Sequence, residues 1–509
     1  MDAPILTSAE MRAAEKVAFS RGISAETLMD EAGAGIAATV QRFFSAPGRC
    51  LVFVGKGHNG GDALVAAEHL RRLGWKIDVH LAFPEEACSE LTRKKLQTLR
   101  DATDSWQRHP ADDSCAGSAY HRIILDGLLG LGAKLPLRDP VREACREINR
   151  LRRKANAYAF AIDLPTGLDG DSGKADRDCV IADFTATIGF AKRGLLADNA
   201  LDFVGRLEVV SLDELRRDEL PLVQGRAEAR PSEVATPESL RELLPRRKYH
   251  AYKNQFGRIG VVAGSKGFTG AAIMCSLGAL RAGTGLAEVF VLEDIYPLVA
   301  AAAPSEAMIK PIKSYRDLLK EKIDVWALGP GLGKSRAAEI LELIEKARQP
   351  MVVDADGLNI LSEKISTLQR CRGSRLLTPH PGEMERLFSV KTKTRAELAT
   401  KFCKRFPVAL LFKGSRTIVA ERDQPLSFNT TGNPGMATGG MGDILTGVCA
   451  ALIGQKLSPY DAARLGAWLC GRAAEIAIFN GDASEESLLP RDVLDHLGQA
   501  FRDLHSVFR

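Results

Sequence analysis

No stretch of this sequence approaches the roughly 20 consecutive apolar residues that a bilayer span needs. Residues 1–16 carry acidic groups and lack the apolar core of an export signal. Neither membrane insertion nor export is expected. Paired cysteines are missing as well: the ten cysteines stand singly, with no Cys-x-x-Cys and no nearby histidine spacing. That excludes a zinc site built on such pairs and a disulfide framework, and it points to reduced, mostly buried thiols in a cytoplasmic protein. Nor is there much excess charge, since 69 basic against 64 acidic residues leave +5. The densest basic runs, Arg150 to Lys154 and Arg246 to Lys248, have no interleaved aromatics and read as solvated helix faces, so no nucleic-acid partner is expected.

What is present is the composition of a globular chain, 45% hydrophobic and 26% charged, too long at 509 residues for one core. Apolar strand-like runs alternate with amphipathic helical patterns between Cys50 and Val210 and again from Gly257 to the C-terminus. From Asp213 to Glu238 the sequence is charged and broken by Pro221, Pro231 and Pro237, which reads as a linker. Two α/β domains are expected, 1–228 and 229–509, with the boundary near residue 230. They share no motif spacing, so a fusion with two separate active sites fits better than a duplication.

In the first half, the apolar run Cys50 to Val54 leads into Gly55-Lys56-Gly57-His58-Asn59-Gly60-Gly61-Asp62 and then a helix with apolar residues at Ala63, Ala66, Ala67, Leu70 and Leu73. The glycines satisfy G-x-G-x-x-G. Asp78, however, falls inside the strand-like Lys76 to Phe83 rather than at its end, which argues against an ordinary dinucleotide turn. Two further strands end in carboxylates: Asp126 before Gly127-Leu128-Leu129-Gly130-Leu131-Gly132, and Asp163 before Leu164-Pro165-Thr166-Gly167. Ligands of open parallel sheets bind outside the carboxyl ends of strands, so the three turns should converge on one crevice. Carboxylates beside a phosphate site imply a bound cation or acid–base work, though a turn or capping role is open for each.

In the second half, Phe256 to Gly264 reads as a strand, followed by Ser265 to Ala272 and a small-residue helix ending near Gly283. Gly329-Pro330-Gly331-Leu332-Gly333-Lys334-Ser335 has three residues, not four, before its Gly-Lys pair, which excludes a P-loop. The strongest signal is Asn433 to Gly447. Its glycines can turn successive N–H groups toward one anion, in front of a helix apolar on nearly every face. Asp443 either works at that anion site or caps the helix. Lys413-Gly414-Ser415-Arg416-Thr417, after the strand Val408 to Phe412, either contacts a nucleotide or only turns a hairpin. His380, in a proline-framed loop, is balanced between function and structure.

The first half resembles the NAD(P)H-hydrate epimerases at Leu6-Thr7 through Met11, Leu28-Met29 through Ala32-Gly33, Asn59 to Asp62, Asp126 with its glycine turn, and Asp163 to Gly167. The resemblance implies a Rossmann-like doubly wound sheet. It implies hydrate binding by His58, Asn59, Gly60, Gly61 and Asp62 and by Gly130, Leu131, Gly132, Ala133, Lys134, Leu135 and Pro136. Potassium would be held by Asn59, Asp126 and Thr166, with Asp163 as substrate-binding acid or base. His58 and Ala63 depart from the asparagine and glycine usual there.

The second half resembles the ribokinase-like fold and, more narrowly, the NAD(P)H-hydrate dehydratases. The likeness is carried by Val261 to Ala272, Gly329 to Gly333, Val353 to Asn359, Thr378 to Glu383 and Gly439 to Asp443. It implies hydrate binding by Ala271, Gly331, His380 and Asp443, with Asp443 catalytic. Nucleotide would be bound by Lys413, Gly414, Ser415, Arg416, Thr417 and Gly442. ADP is the expected co-substrate and magnesium its partner; a homo-oligomer is expected. The chain would epimerise the R and S hydrates of NADH and NADPH (NADHX and NADPHX) and dehydrate the S epimer. The rivals are an ATP-dependent kinase of a small hydroxylated metabolite and a non-catalytic nucleotide-sensing protein. Retention of Asp126, Asp163 and Asp443 together argues against the second.

Overall fold

The apolar runs of the sequence become the strands of two sheets, one parallel and one mostly parallel. The computed structural model describes residues 3–102, 121–133, 135–215 and 232–506, and the chain divides into two compact units, Ala3–Glu228 and Ala229–Val507.

The N-terminal unit contains β1 (Ala3–Leu6), β2 (Arg49–Val54), β3 (Lys76–Leu81), β4 (Arg122–Gly127), β5 (Tyr158–Ile162), β6 (Phe184–Ile188), β7 (Ala191–Lys192) and β8 (Arg206–Val210). Six form one parallel sheet in the order β3-β2-β4-β5-β6-β8, and β1 pairs with β7. β2, β4 and β5 are buried almost throughout, as the central strands of a parallel sheet covered on both faces must be. The order reverses beside β2, whose neighbours are β3 and β4. This is the switch point where a crevice opens at the carboxyl ends. Val141–Lys154 packs Val141, Cys145, Ile148 and Leu151 against Ile124 and Ala159.

The C-terminal unit contains β9 (Glu233–Val234), β10 (Arg258–Val262), β11 (Leu286–Leu292), β12 (Ala307–Ile312), β13 (Val325–Leu328), β14 (Met351–Val353), β15 (Arg375–Leu377), β16 (Ala409–Phe412), β17 (Ile418–Ala420) and β18 (Ser427–Phe428). Its sheet runs β12-β11-β10-β13-β14-β15-β16-β17-β18-β9. It is parallel from β12 to β16, then closes with the antiparallel β16–β17 and β17–β18 pairs. Again the order reverses, here between β10 and β13. The helix Met441–Gly454 is buried from Thr446 to Gly454 without a polar face, as its composition foretells.

Two local readings change. Residues 58–62, read as a turn, are the first turn of the helix His58–Arg72. Glycine disfavours a helix, but tertiary packing overrides propensity: side chains at Gly60 and Gly61 would collide with Gly55 O and Met29. The expected linker also ends too late. Glu233–Val234 is already a strand, and Pro237–Leu240 is a helical turn with proline in its first turn and Thr236 accepting from Ser239 N–H. Most of the remaining linker, and Lys134, lie outside the described residues.

Candidate active sites

In the N-terminal unit the ends of β2, β4, β5 and β6 are laced together. Gly55 N–H donates to Gly127 O at 3.0 Å and Asp163 N–H to Ala186 O at 2.9 Å. Asp126, fully buried, accepts from Thr166 N–H at 2.8 Å, from the Thr166 hydroxyl at 2.7 Å and from Leu128 N–H at 3.3 Å. It therefore does the work of a turn aspartate, yet no lysine or arginine among the described residues neutralises it. Burial pushes its carboxyl up to about 6, with those hydrogen bonds pulling the other way.

Asn59 and Asp163 meet across the second turn. A Cβ at Gly130 would stand 3.2 Å from Asn59 Oδ1 and 3.3 Å from Asp163 Oδ2, so only glycine leaves both oxygens facing open space. The buried Nδ2 of Asn59 has no hydrogen-bond partner among the described residues. Leu131, Gly132, Ala133, Leu135 and Pro136 form the outer part of this turn; Leu135 is exposed. The helix Ser8–Ser20 reaches over it, Arg12 Nη2 donating to Leu131 O at 2.6 Å. Asp78, by contrast, sits mid-strand and pairs with Arg49 at 2.5 Å.

Sequence reasoning missed Lys192, fully buried and ion-paired to Asp163. It also missed the half-buried Glu15, which together with Asp62 completes an acidic group around Lys192. Burial first, and then the Asp163 charge, raises the carboxyls of Glu15 and Asp62 above their ordinary values. A lone lysine in the apolar run Ile188 to Leu196 was the available signal, because a buried ammonium requires a partner.

In the C-terminal unit the parallel register aligns Val262, Leu328, Val353 and Leu377, so the loops that follow them open side by side. Gly264 N–H donates to Pro330 O at 2.8 Å and the Ser265 hydroxyl to Gly331 O at 2.7 Å. Gly331 holds φ +62°, with Ala271 and Phe268 crowding the position its Cβ would take. His380 caps Pro381–Leu387, its Nδ1 accepting from Gly382 N–H at 3.1 Å, and remains half exposed.

Lys413 occupies the middle. Its Nζ lies 2.7 Å from Asp354 Oδ1 and 3.8 Å from Glu383 Oε2. Asp354 Oδ2 in turn accepts from the Thr446 hydroxyl at 3.0 Å. A Cβ on Gly442 would be 3.3 Å from both Lys413 Nζ and Asp354 Oδ2, which places this pair against the glycine run. Burial lowers the Lys413 ammonium, but the two carboxylates outweigh it and leave it raised. Gly414 to Thr417 form the β16–β17 hairpin turn, Ser415 O accepting from Arg395 at 2.6 Å.

Gly440, at φ +95°, begins the helix Met441–Gly454 without a side-chain cap, and Asp443 accepts no hydrogen bond among the described residues. Capping is therefore not what Asp443 does. Burial first, then Asp354, pushes its carboxyl up to about 6 against the pull of Lys413. Asp354 and Glu383 had been read only as parts of motifs. Asp354 ends an apolar strand just as Asp163 does, and the same rule would have found it.

Each unit is thus an α/β domain with ligand-ready loops at a topological switch point. A model of the NAD(P)H-hydrate dehydratase family matches residues 259–496, and one described as YjeF-related protein N-terminus matches 25–194. A bifunctional NAD(P)H-hydrate repair enzyme of Moorella thermoacetica is 34% identical over 98% of this chain and 97% of its own. Its counterpart in Coxiella burnetii is 33% identical over 96% and 97%. A solved ADP/ATP-dependent NAD(P)H-hydrate dehydratase of Bacillus subtilis, co-crystallised with ATP and magnesium, is 28% identical, with a TM-score of 0.48 over 53% of this chain and 98% of that one. The chain belongs to the family of bifunctional NAD(P)H-hydrate repair enzymes.

Proposed function

We propose that the N-terminal unit interconverts the R and S hydrates of NADH and NADPH, and that the C-terminal unit dehydrates the S epimer while ADP is consumed. The observation that carries this reading is Asp443, a carboxylate in the first helical turn that caps nothing and stands behind a glycine run.

In the dehydratase, N–H groups from Gly439 to Gly442 hold the terminal phosphoryl group at the positive end of the helix. Asp443 takes the proton of the hydrate's hydroxyl, and that oxygen attacks the phosphoryl group, releasing AMP. The carbon–oxygen bond then breaks with phosphate leaving, the ring loses a proton and the reduced coenzyme is restored. Ala271, Gly331 and His380 bind the hydrate. Lys413 to Thr417 and Gly442 bind the nucleotide, Lys413 through its charge. Asp354 and Glu383 are engaged by Lys413, Thr446 and His380, which leaves Asp443 as the carboxylate that would face magnesium carried in on phosphates. Such an ion supplies neutralisation of phosphate charge.

In the epimerase, residues 58–62 and 130–136 bind the hydrate, and Asp163 exchanges protons with it. Asn59, Asp126 and Thr166 suit potassium: each offers a side-chain oxygen, and Asp126 is buried with no lysine or arginine beside it among the described residues. Potassium there supplies the missing positive charge.

The test is to give the purified chain an epimeric hydrate mixture with ADP or with ATP and follow the absorbance of the reduced nicotinamide. Complete return with ADP is expected. Return of only about half removes the epimerase, and a stable phosphorylated product makes the chain a kinase.

A further inference from the structure

Lys192 ends β7 with none of its surface exposed. Taking an ammonium out of water costs several kcal/mol unless it is paired and hydrogen-bonded. All three of its protons are used: Nζ donates to Asp163 Oδ1, to the Thr187 hydroxyl at 3.1 Å and to Ile188 O at 2.8 Å. Thr187 is equally buried.

The other partner is held just as firmly. Asp163 has φ +66°, a left-handed conformation that a residue with a side chain seldom adopts and that persists only where its surroundings fix it. Its Oδ1 accepts from Lys192 and from Ile188 N–H at 3.3 Å. Its Oδ2 is the oxygen that faces Gly130 beside Asn59 Oδ1. One oxygen is therefore anchored in protein and the other is turned to the crevice.

The substrate's chemistry gives this asymmetry a use. A dihydronicotinamide ring is an enamine, so water adds at the carbon beside the ring nitrogen. Inverting that carbon means giving a proton to the departing oxygen and taking one from the oxygen that returns on the other face. Between the two the ring is an iminium cation. A carboxylate oxygen favours that cation and an exposed ammonium opposes it. With every proton committed, Lys192 has none left to donate to the hydrate, and its direct contact at the site is with Asp163.

We propose that Lys192 is a positioning residue of the epimerase, fixing the Asp163 carboxylate so that a single oxygen meets the hydrate. This rests on the assignment of Asp163 as the group that exchanges protons.

The experiment uses the full chain, with circular dichroism and thermal melting as the control for folding of the N-terminal unit and ADP-dependent dehydration as the control for the amount of intact chain, and measures exchange between epimers. Lys192→Met should lower kcat for exchange by on the order of 10–100-fold, the worth of a charged hydrogen bond, while KM for the hydrate changes less than about threefold. Asp163→Asn should abolish exchange, leaving only the spontaneous background. Exchange at the parent rate in Lys192→Met, with Asp163→Asn inactive, overturns the role of Lys192. Exchange at the parent rate in Asp163→Asn overturns the assignment beneath it. Should Lys192→Met unfold its unit by circular dichroism, Thr187→Val loosens the ammonium without stranding a charge. That variant is then expected to lose kcat several-fold at unchanged KM, and a parent-like kcat overturns the proposal.

Discussion

Lys413 Nζ and Asp354 Oδ1 lie 2.7 Å apart although β15 separates the strands their loops follow. The pair spans the carboxyl edge of the sheet and aims an ammonium at Gly442. Asp354→Asn keeps the shape and the contact with Thr446 but removes the charge that fixes Lys413. Since a hydrogen bond to a charged group is worth about 1.5–3 kcal/mol, dehydration should fall by roughly 10–100-fold with exchange between epimers unchanged. Steady-state assays of both activities on one preparation check it.

The two activities should also separate in the other direction. Asp163→Asn is expected to abolish epimer exchange and leave dehydration of the S epimer at the parent rate. Incubated with a mixture of epimers and ADP, this variant should restore only the S fraction. Restoration of the whole mixture, beyond its spontaneous epimerisation, would return Asp163 to a structural role.

Asp126 offers a test of potassium that needs no turnover. A ligand bound only by the folded state stabilises it by about 2.7 kcal/mol at 100 times its Kd. Replacing sodium chloride with potassium chloride at constant ionic strength should raise the Tm of the parent's N-terminal unit and leave Asp126→Asn unmoved. An equal response of the two proteins excludes potassium from this carboxylate.

The strand-end rule accounts for most of what could be read in advance. Asp126 and Asp163 each close an apolar run before a turn, and both stand at the crevice beside the switch point. Asp354 follows Val353 in the same way but runs directly into the helix Ala355–Ser362 with no glycine turn to mark it. Lys192 was harder to see, because its partner lies 29 residues earlier and the two meet through the pairing of β5 with β6, which β7 follows directly. The turn that became a helix at His58 failed for another reason: glycine content measures local preference, whereas Gly60 lets the helix approach the end of β2 and Gly61 lets it approach Met29 of the helix Ala25–Phe43.

Asp443 joins stability to activity, and the sign can be worked out. Its carboxyl is pushed up to about 6 in the folded protein, above the roughly 3.9 of an unfolded aspartate. The folded state therefore holds the proton more tightly, and the group's contribution to stability is present at low pH and lost as pH rises through about 6. Above that pH an unpaired carboxylate is being kept partly out of water, at a cost of up to about 3 kcal/mol on a shift of roughly two units. Asp443→Asn removes that cost, so the Tm of the C-terminal unit should rise at pH 7.5, rise about half as far at pH 5, and change little below the roughly 3.9 of the unfolded group. The same proton governs catalysis. Only the carboxylate can accept the hydroxyl proton, so kcat/KM of the parent should climb through an acid limb near pH 6. In the variant the rate should be lower by roughly 10²–10⁴-fold, the usual worth of a general base. Nucleotide affinity should be nearly unchanged, because the N–H groups of Gly439 to Gly442 remain. A variant that is more stable, binds ADP and hardly dehydrates is the expected outcome. A variant that dehydrates at the parent rate, or one whose loss follows unfolding or lost nucleotide binding, would take Asp443 out of the reaction.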